Sequence, residues 1–260
     1  MTELRLVQVD AFADRPFTGN PAAVMPLDAW LPDDVLQAIA QENNLAETAF
    51  TIPATDGEAD YELRWFTPAT EVVMCGHATL ASGHVLLTGS KVRFRTRKAG
   101  ILEVAREGDG YALSLPAWAP SAKALPRVVA ALGCDPVETL WHAQRYAVIL
   151  LASEAEVRAV EPDFRALAKE GDLLTIVTAR GHDTDIVSRA FAPGAGIDED
   201  PVTGSAHAVL TPYWAERLGR TEFTAYQASR RGGHVGCRLE GDRVILGGQC
   251  VTVIEGVMRI

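Results

Sequence analysis

The chain has 260 residues, 48% hydrophobic and 22% charged, which is enough apolar material for one large domain or two of about 130 residues. Its formal net charge of −10 argues against nucleic acid or an anionic membrane as partner, because neutralising phosphates takes clustered Lys and Arg. Four scattered cysteines without a C-x-x-C spacing argue against a zinc site or a disulfide framework. With no run of about 18 apolar residues and no basic-then-apolar leader, a cytoplasmic protein is expected.

In chain order, Leu4 to Phe12 alternates like a strand and Ala22 to Pro26 reads as a second. Leu31 to Asn43 has helical spacing, with Pro32 in the first turn and Asp33 and Asp34 favouring the positive end of the dipole. Thr48 to Pro53 and Tyr61 to Thr67 read as strands, and Gly76 to Leu87 as a compact apolar helix. Strands follow from Val92 to Leu115, broken by the turn at Glu107 to Gly110. There, Arg93, Arg95, Arg97 and Lys98 alternate with Val92, Phe94 and Thr96, the pattern of a solvated strand face. Three prolines make Pro116 to Pro126 a candidate linker. Beyond it, Leu173 to Thr178 and Ile186 to Phe191 read as strands, Gly204 to about Leu218 as a helix, and the remainder as a strand-rich tail.

The second half repeats the first. Arg64, Phe66 and Pro68 spell R-x-F-x-P, and Arg189, Phe191 and Pro193 spell it again 125 residues later. Gly76 and Gly204 open the two helices at an offset of 128. Arg97, Gly100, Glu107, Gly108 and Asp109 then match Arg230, Gly233, Glu240, Gly241 and Asp242 at a constant 133. A drifting but monotonic offset is what a duplication with small loop insertions leaves behind. Domains are therefore expected over 1–116 and over 117–250.

Each half carries one loop-to-helix junction: Met74 to Thr79, and Asp198 to His207. At each, a glycine lets backbone amides approach a ligand, and the helix N-terminus favours an anion such as a carboxylate. The same seat would stabilise the enolate-like charge that appears when a proton leaves an alpha carbon. Taken singly, each junction is equally a helix start with Thr203 or Ser205 as a cap. His77, in the first turn of its helix, is expected to stay neutral. Glu47 sits among apolar and small residues just before a strand. By pattern alone it is a solvated acid; in an apolar pocket a carboxyl group holds and returns a proton near neutral pH. There is no G-x-S-x-G elbow, no H-E-x-x-H and no G-x-G-x-x-G or Walker A motif, so hydrolase, metal and nucleotide chemistry have no support.

The motifs G-N-P-A-A-V (Gly19 to Val24), N-L-A-E-T-A-F (Asn44 to Phe50), C-G-H-A-T (Cys75 to Thr79) and E-D-P-V-T-G-S-A (Glu199 to Ala206) stand in an order that resembles the PhzF-like family. Y-W-x-x-R-L-G (Tyr213 to Gly219) and R-R-G-G (Arg230 to Gly233) extend the resemblance over nearly the whole chain. It implies an α+β fold like diaminopimelate epimerase. In that fold two pseudo-symmetric domains each wrap a mixed, nearly barrel-like sheet around a central helix, with the active-site cleft between them; the resemblance also implies that the last strand, at about 251–260, returns to the first domain. It implies a homodimer acting without metal or organic cofactor on a small carboxylate substrate. Carried over by position, Glu47 is the acid/base, with His77 and Asp200 as its catalytic companions. Asn20, Gly76, His77, Asp200, Gly204 and Ser205 bind substrate. Racemases of this fold with two thiols use one cysteine from each half; Cys75 matches the first position, whereas Pro201 aligns with the second. The expected activity is a proton shift on a small amino- or hydroxy-carboxylate. The competing readings are a silent binding protein on the same scaffold, or an epimerase working through Cys75 alone.

Overall fold

Leu4, Val7 and Val9 point into the core from the first strand, β1 (Glu3–Ala11), of the computed structural model, which describes every residue except Asp56. The chain divides into two units, Met1–Leu115 with Gly247–Ile260, and Pro116–Leu246. In the first, β1 pairs antiparallel with β2 (Asn20–Pro26), which runs parallel to β3 (Glu47–Pro53) after the helix α1 (Asp33–Asn43). Next, β3 pairs antiparallel with β4 (Tyr61–Phe66), and β5 (Glu71–Val72) is a two-residue partner of β4. The helix α2 (Gly76–Leu86) intervenes before β6 (Lys91–Thr96), which is parallel to β4. Antiparallel β7 (Ile101–Glu107) and β8 (Gly110–Pro116) complete the run.

The helix α2 is buried from Gly76 to Gly83 and touches β1, β2, β3, β6 and β7, so the sheet wraps around it. A helix apolar on all sides belongs in a core. Its two hydroxyl side chains are absorbed by the backbone: Thr79 Oγ1 donates to the Cys75 carbonyl at 2.6 Å and Ser82 Oγ to that of Ala78 at 2.7 Å. Gly83 is required by approach rather than by torsion. A Cβ there would lie 2.4 Å from Val104 Cγ1 and 2.8 Å from its Cβ, which no rotamer of Val104 relieves.

The second unit follows the same plan. It begins with β9 (Ser121–Ala122), α3 (Pro126–Leu132), β10 (Glu138–His142) and β11 (Tyr146–Leu150). The helices α4 (Glu154–Ala159) and α5 (Phe164–Ala168) lead to β12 (Leu174–Arg180), β13 (Ile186–Ala192) and β14 (Ile197–Asp200). Then come α6 (Gly204–Leu218), β15 (Glu222–Gln227), β16 (Gly233–Glu240) and β17 (Arg243–Gly248). The pairings β10–β11 antiparallel, β11–β12 parallel, β12–β13 antiparallel, β13–β15 parallel and β15–β16 antiparallel match those of β1, β2, β3, β4, β6 and β7 one for one. The last strand, β18 (Cys250–Arg259), returns to the first unit and pairs antiparallel with β1. There Thr2 and Ile260 exchange two backbone hydrogen bonds, of 2.7 and 3.0 Å.

The repeated R-x-F-x-P motif has a structural reason in each unit. Arg64 on β4 makes a two-pronged pair with Glu71, at 2.8 and 2.9 Å, and reaches Asp33 at 2.9 Å. Arg189 on β13 makes the same fork with Glu199, at 2.7 and 3.2 Å, and donates to the Val160 carbonyl at 2.7 Å. Each guanidinium also lies over the phenylalanine of its own motif, Phe66 and Phe191, 5.0 Å from the ring centre.

Two sequence expectations need correction. The stretch from Pro116 to Pro126 is not a free linker: β9 lies within it and pairs with Leu140 and Trp141 of β10. Its prolines stand at element borders: Pro116 closes β8, Pro120 precedes β9, and Pro126 opens α3, where a missing N–H costs nothing. Second, β6 ends at Thr96, so Arg97 and Lys98 lie in the turn that follows, and Arg97 joins Glu71 at 3.2 Å. Among the described residues no helix is long and apolar enough to cross a membrane, and all four cysteines are free thiols.

The helix α6 tolerates Pro212 because its lost hydrogen bond is replaced: the freed carbonyl of Ala208 accepts from Trp118 N at 3.1 Å. One turn away, His207 is fully buried and its Nδ1 donates to the Thr203 carbonyl at 2.8 Å. Burial pushes its pKa down to about 4, against a small opposing effect of the Thr203 carbonyl. The unfolded chain, with an ordinary histidine, therefore binds the proton first as pH falls. Stability from this group is complete above about pH 6.5 and drains away between there and about pH 4, by roughly 3 kcal/mol. Urea midpoints at pH 7 and pH 5 should differ in the parent, and that difference should shrink in His207→Gln. An equal difference in the variant would show that other groups carry it.

Candidate active site

Glu47 is the first residue of β3, where parallel pairing with β2 sets it opposite Ala22. That placement, rather than its local sequence, buries it to 8% exposure. His77 is the second residue of α2, and its Nε2 lies 3.0 Å from Glu47 Oε2. The contact is one of charge and proximity, since Oε2 makes no well-directed hydrogen bond. Cys75, the residue before α2, places Sγ 3.4 Å from His77 Nδ1 and 3.9 Å from Nε2. Asn20 opens β2, is fully buried, and has its amide nitrogen 3.1 Å from His77 Nδ1. Asn20, Glu47, Cys75, Gly76 and His77 thus come together in the first unit.

Electrostatics run against the expectation of a neutral His77. Burial opposes a charge on the ring, yet the Cys75 sulfur first and the Glu47 carboxylate second favour it, and together they hold the pKa well above the ordinary histidine value. A charged ring donates from both nitrogens, so it wants the amide oxygen of Asn20 at Nδ1; a neutral ring accepts there from the amide nitrogen. Turning the amide over exchanges the two, and Asn20 can serve the ring in either state. Cys75 behaves oppositely. Burial first, and then the Glu47 charge, push its thiol up to about 11, so it is protonated at neutral pH and a poor base or nucleophile.

In the second unit, Asp200 ends β14 and is 9% exposed. Thr203 Oγ1 donates to Asp200 Oδ2 at 2.5 Å. Gly204 and Ser205 open α6, Gly204 buried and Ser205 half-buried, as Gly76 and His77 open α2. Neither N-cap side chain makes a capping hydrogen bond, and both helix N-termini favour an anion. The residue before α2 is Cys75 and the residue before α6 is Thr203. By helix register, then, the counterpart of Cys75 is Thr203 rather than Pro201, and the second thiol position is held by a hydroxyl.

Two residues here were missed from sequence. Gln227 is fully buried; its Oε1 accepts from Thr203 N at 2.9 Å, and its Nε2 donates to the Asp200 carbonyl at 2.8 Å and to Thr203 Oγ1 at 3.1 Å. It clamps the whole junction. The available signal was its place on β15, where Phe223 and Ala225 face inward and Gln227 continues their row. The other is Tyr146 at the start of β11, whose hydroxyl hydrogen-bonds to Ser205. The family motif around Tyr213 proves structural: Tyr213 and Arg217 both hold Glu138, and Trp214 Nε1 donates to Thr178 at 3.1 Å.

The sequence model of the family described as "Phenazine biosynthesis-like protein" matches residues 9–256. The chain belongs to this PhzC-PhzF family. An "uncharacterized isomerase" of Pseudomonas aeruginosa is 50% identical over 99% of both chains. The crystal structure of a PhzF-family protein from Enterococcus faecalis superimposes with a TM-score of 0.92 at 43% identity, covering all of both chains. A probable proline racemase from Agrobacterium radiobacter shares the fold at a TM-score of 0.61 and 11% identity, over 99% of this chain and 92% of its own. As a PhzF-family member the chain has the mixed α+β architecture of the epimerase-type folds, and it stands among proteins named as isomerases.

Proposed function

We propose that the chain is an isomerase that moves a proton on a small amino- or hydroxy-carboxylate without a cofactor, with Glu47 as the single acid/base. The observation that carries the reading is the buried contact of 3.0 Å between Glu47 and His77 at the uncapped N-terminus of α2. A carboxylate beside an imidazolium can take a proton from an alpha carbon, while the ring and the helix amides stabilise the charge that develops on the substrate. The neutral Cys75 thiol favours Glu47 over a cysteine base. Asn20, fully buried behind His77, fits better as the residue that orients the ring than as a substrate contact. On the family resemblance, Gly76, Asp200, Gly204 and Ser205 are assigned to the polar groups of the substrate.

The test is a screen of amino- and hydroxy-carboxylates in D₂O, read by NMR or mass spectrometry for solvent deuterium at carbon. A substrate should take up deuterium in the presence of the parent protein. A panel that is bound, as judged by thermal stabilisation, yet never exchanges would replace this reading with a silent binding protein.

A further inference from the structure

The three donor atoms around the proton-transfer position also meet the requirements of a soft divalent cation. His77 Nε2 lies 3.0 Å from Glu47 Oε2 and 3.9 Å from Cys75 Sγ, and one ligand atom of each residue falls within 4.8 Å of the others. Zinc bonds of about 2.0–2.3 Å at tetrahedral angles set neighbouring ligand atoms about 3.3–3.8 Å apart, so side-chain shifts of about 1 Å close the set. All three residues are buried, and a thiolate with a carboxylate neutralises a divalent ion, which leaves no net charge in an apolar surrounding. Imidazole and thiolate select zinc over magnesium or calcium. With Nε2 on the metal, Nδ1 would face Asn20, whose amide oxygen can fix the ring as the outer partners of metal-bound histidines do. The sequence hid this site because its ligands are 28 residues apart, from Glu47 to Cys75, and carry no metal spacing.

We propose that Glu47, Cys75 and His77 form a binding site for a zinc-class cation, which silences proton transfer by occupying the Glu47 oxygen. Coordination requires the Cys75 thiol and the Nε2 position to release their protons to solvent, and three protein ligands leave one position for water. The inhibitory consequence rests on the Glu47 reading above; the binding does not.

The experiment titrates chelator-treated protein with Co²⁺, watching for the near-ultraviolet thiolate-to-cobalt band, and with Zn²⁺ by equilibrium dialysis. One ion per chain and a thiolate band are expected in the parent and in Cys134→Ser. Cys75→Ser should lose the band and bind zinc more than about 100-fold more weakly, since losing even an outer partner costs up to that much. Glu47→Gln, isosteric and so safe for the fold, should also bind more weakly. No band, or the same band in Cys75→Ser, would overturn the site. With a substrate in hand, zinc should suppress exchange and chelator restore it. Unchanged or faster exchange in zinc-saturated protein would overturn the inhibition while leaving the site. Equal exchange by Glu47→Gln and parent would overturn only the Glu47 reading.

Discussion

Replacing Glu47 with glutamine is expected to lower deuterium exchange into a substrate by about 10²–10⁴-fold, the usual contribution of a positioned acid/base. Glutamine has the shape of glutamate and can still meet His77 Nε2, so packing at the start of β3 and the melting temperature should change little. What it lacks is the ability to take and return a proton. The variant should therefore bind substrate and fail to exchange it, a loss in turnover rather than in affinity. His77→Gln would remove the charge beside the carboxylate and should also reduce exchange. A Glu47→Gln protein that exchanges as fast as its parent would end the assignment, and Cys75→Ala would then be the variant to examine.

Removing the guanidinium of Arg64 should be strongly destabilising. Its side chain is only 2% exposed, forked on Glu71, in contact with Asp33 and lying over Trp30 and Phe66. Breaking one side of a buried pair costs about 3–5 kcal/mol because the other charge is stranded. Here the stranded carboxylates are reachable by water, Glu71 at 28% exposure and Asp33 at 68%. The low end, about 3 kcal/mol, is therefore expected for Arg64→Met in urea unfolding. Arg189→Met should cost a similar amount, because the fork to Glu199 and the bond to the Val160 carbonyl disappear together. Lysine at either position keeps the charge and loses the fork, so it should recover only part of the loss. Two methionine variants as stable as the parent would mean that the repeated motif is held for some reason other than these pairs.

The Arg-x-Phe repeat was legible because the constraint lies within a few residues: an arginine, its ring and a nearby glutamate. The two central helices were legible for the same reason, each opening at a glycine and continuing in small apolar residues. Glu47 was not legible by pattern, since its burial comes from a parallel strand pairing with Ala22 that no local rule reports. His77 was read as neutral from its helix terminus, whereas the pull on its pKa comes from Cys75 and from Glu47, the latter brought in by another strand. Both β10 and β11 went unread. They are five residues each, and their identity rests on matching the pairings of β1 and β2 rather than on their own composition. Prolines were taken to mean a linker between Pro116 and Pro126, whereas they stand at the borders of β8, β9 and α3.

The return of β18 to β1 bears on the order in which the protein is made. Glu3 pairs with Arg259, so the strand that borders β1 is made after every other element described above. The unit Pro116–Leu246 is continuous, and all of its chain is available earlier. During synthesis the second half can complete itself while the first, emerging before it, waits for its tail. Until that moment Val7 and Val9 belong to an unfinished edge, and the nascent chain carries its Glu47 cluster in a unit whose sheet has yet to close.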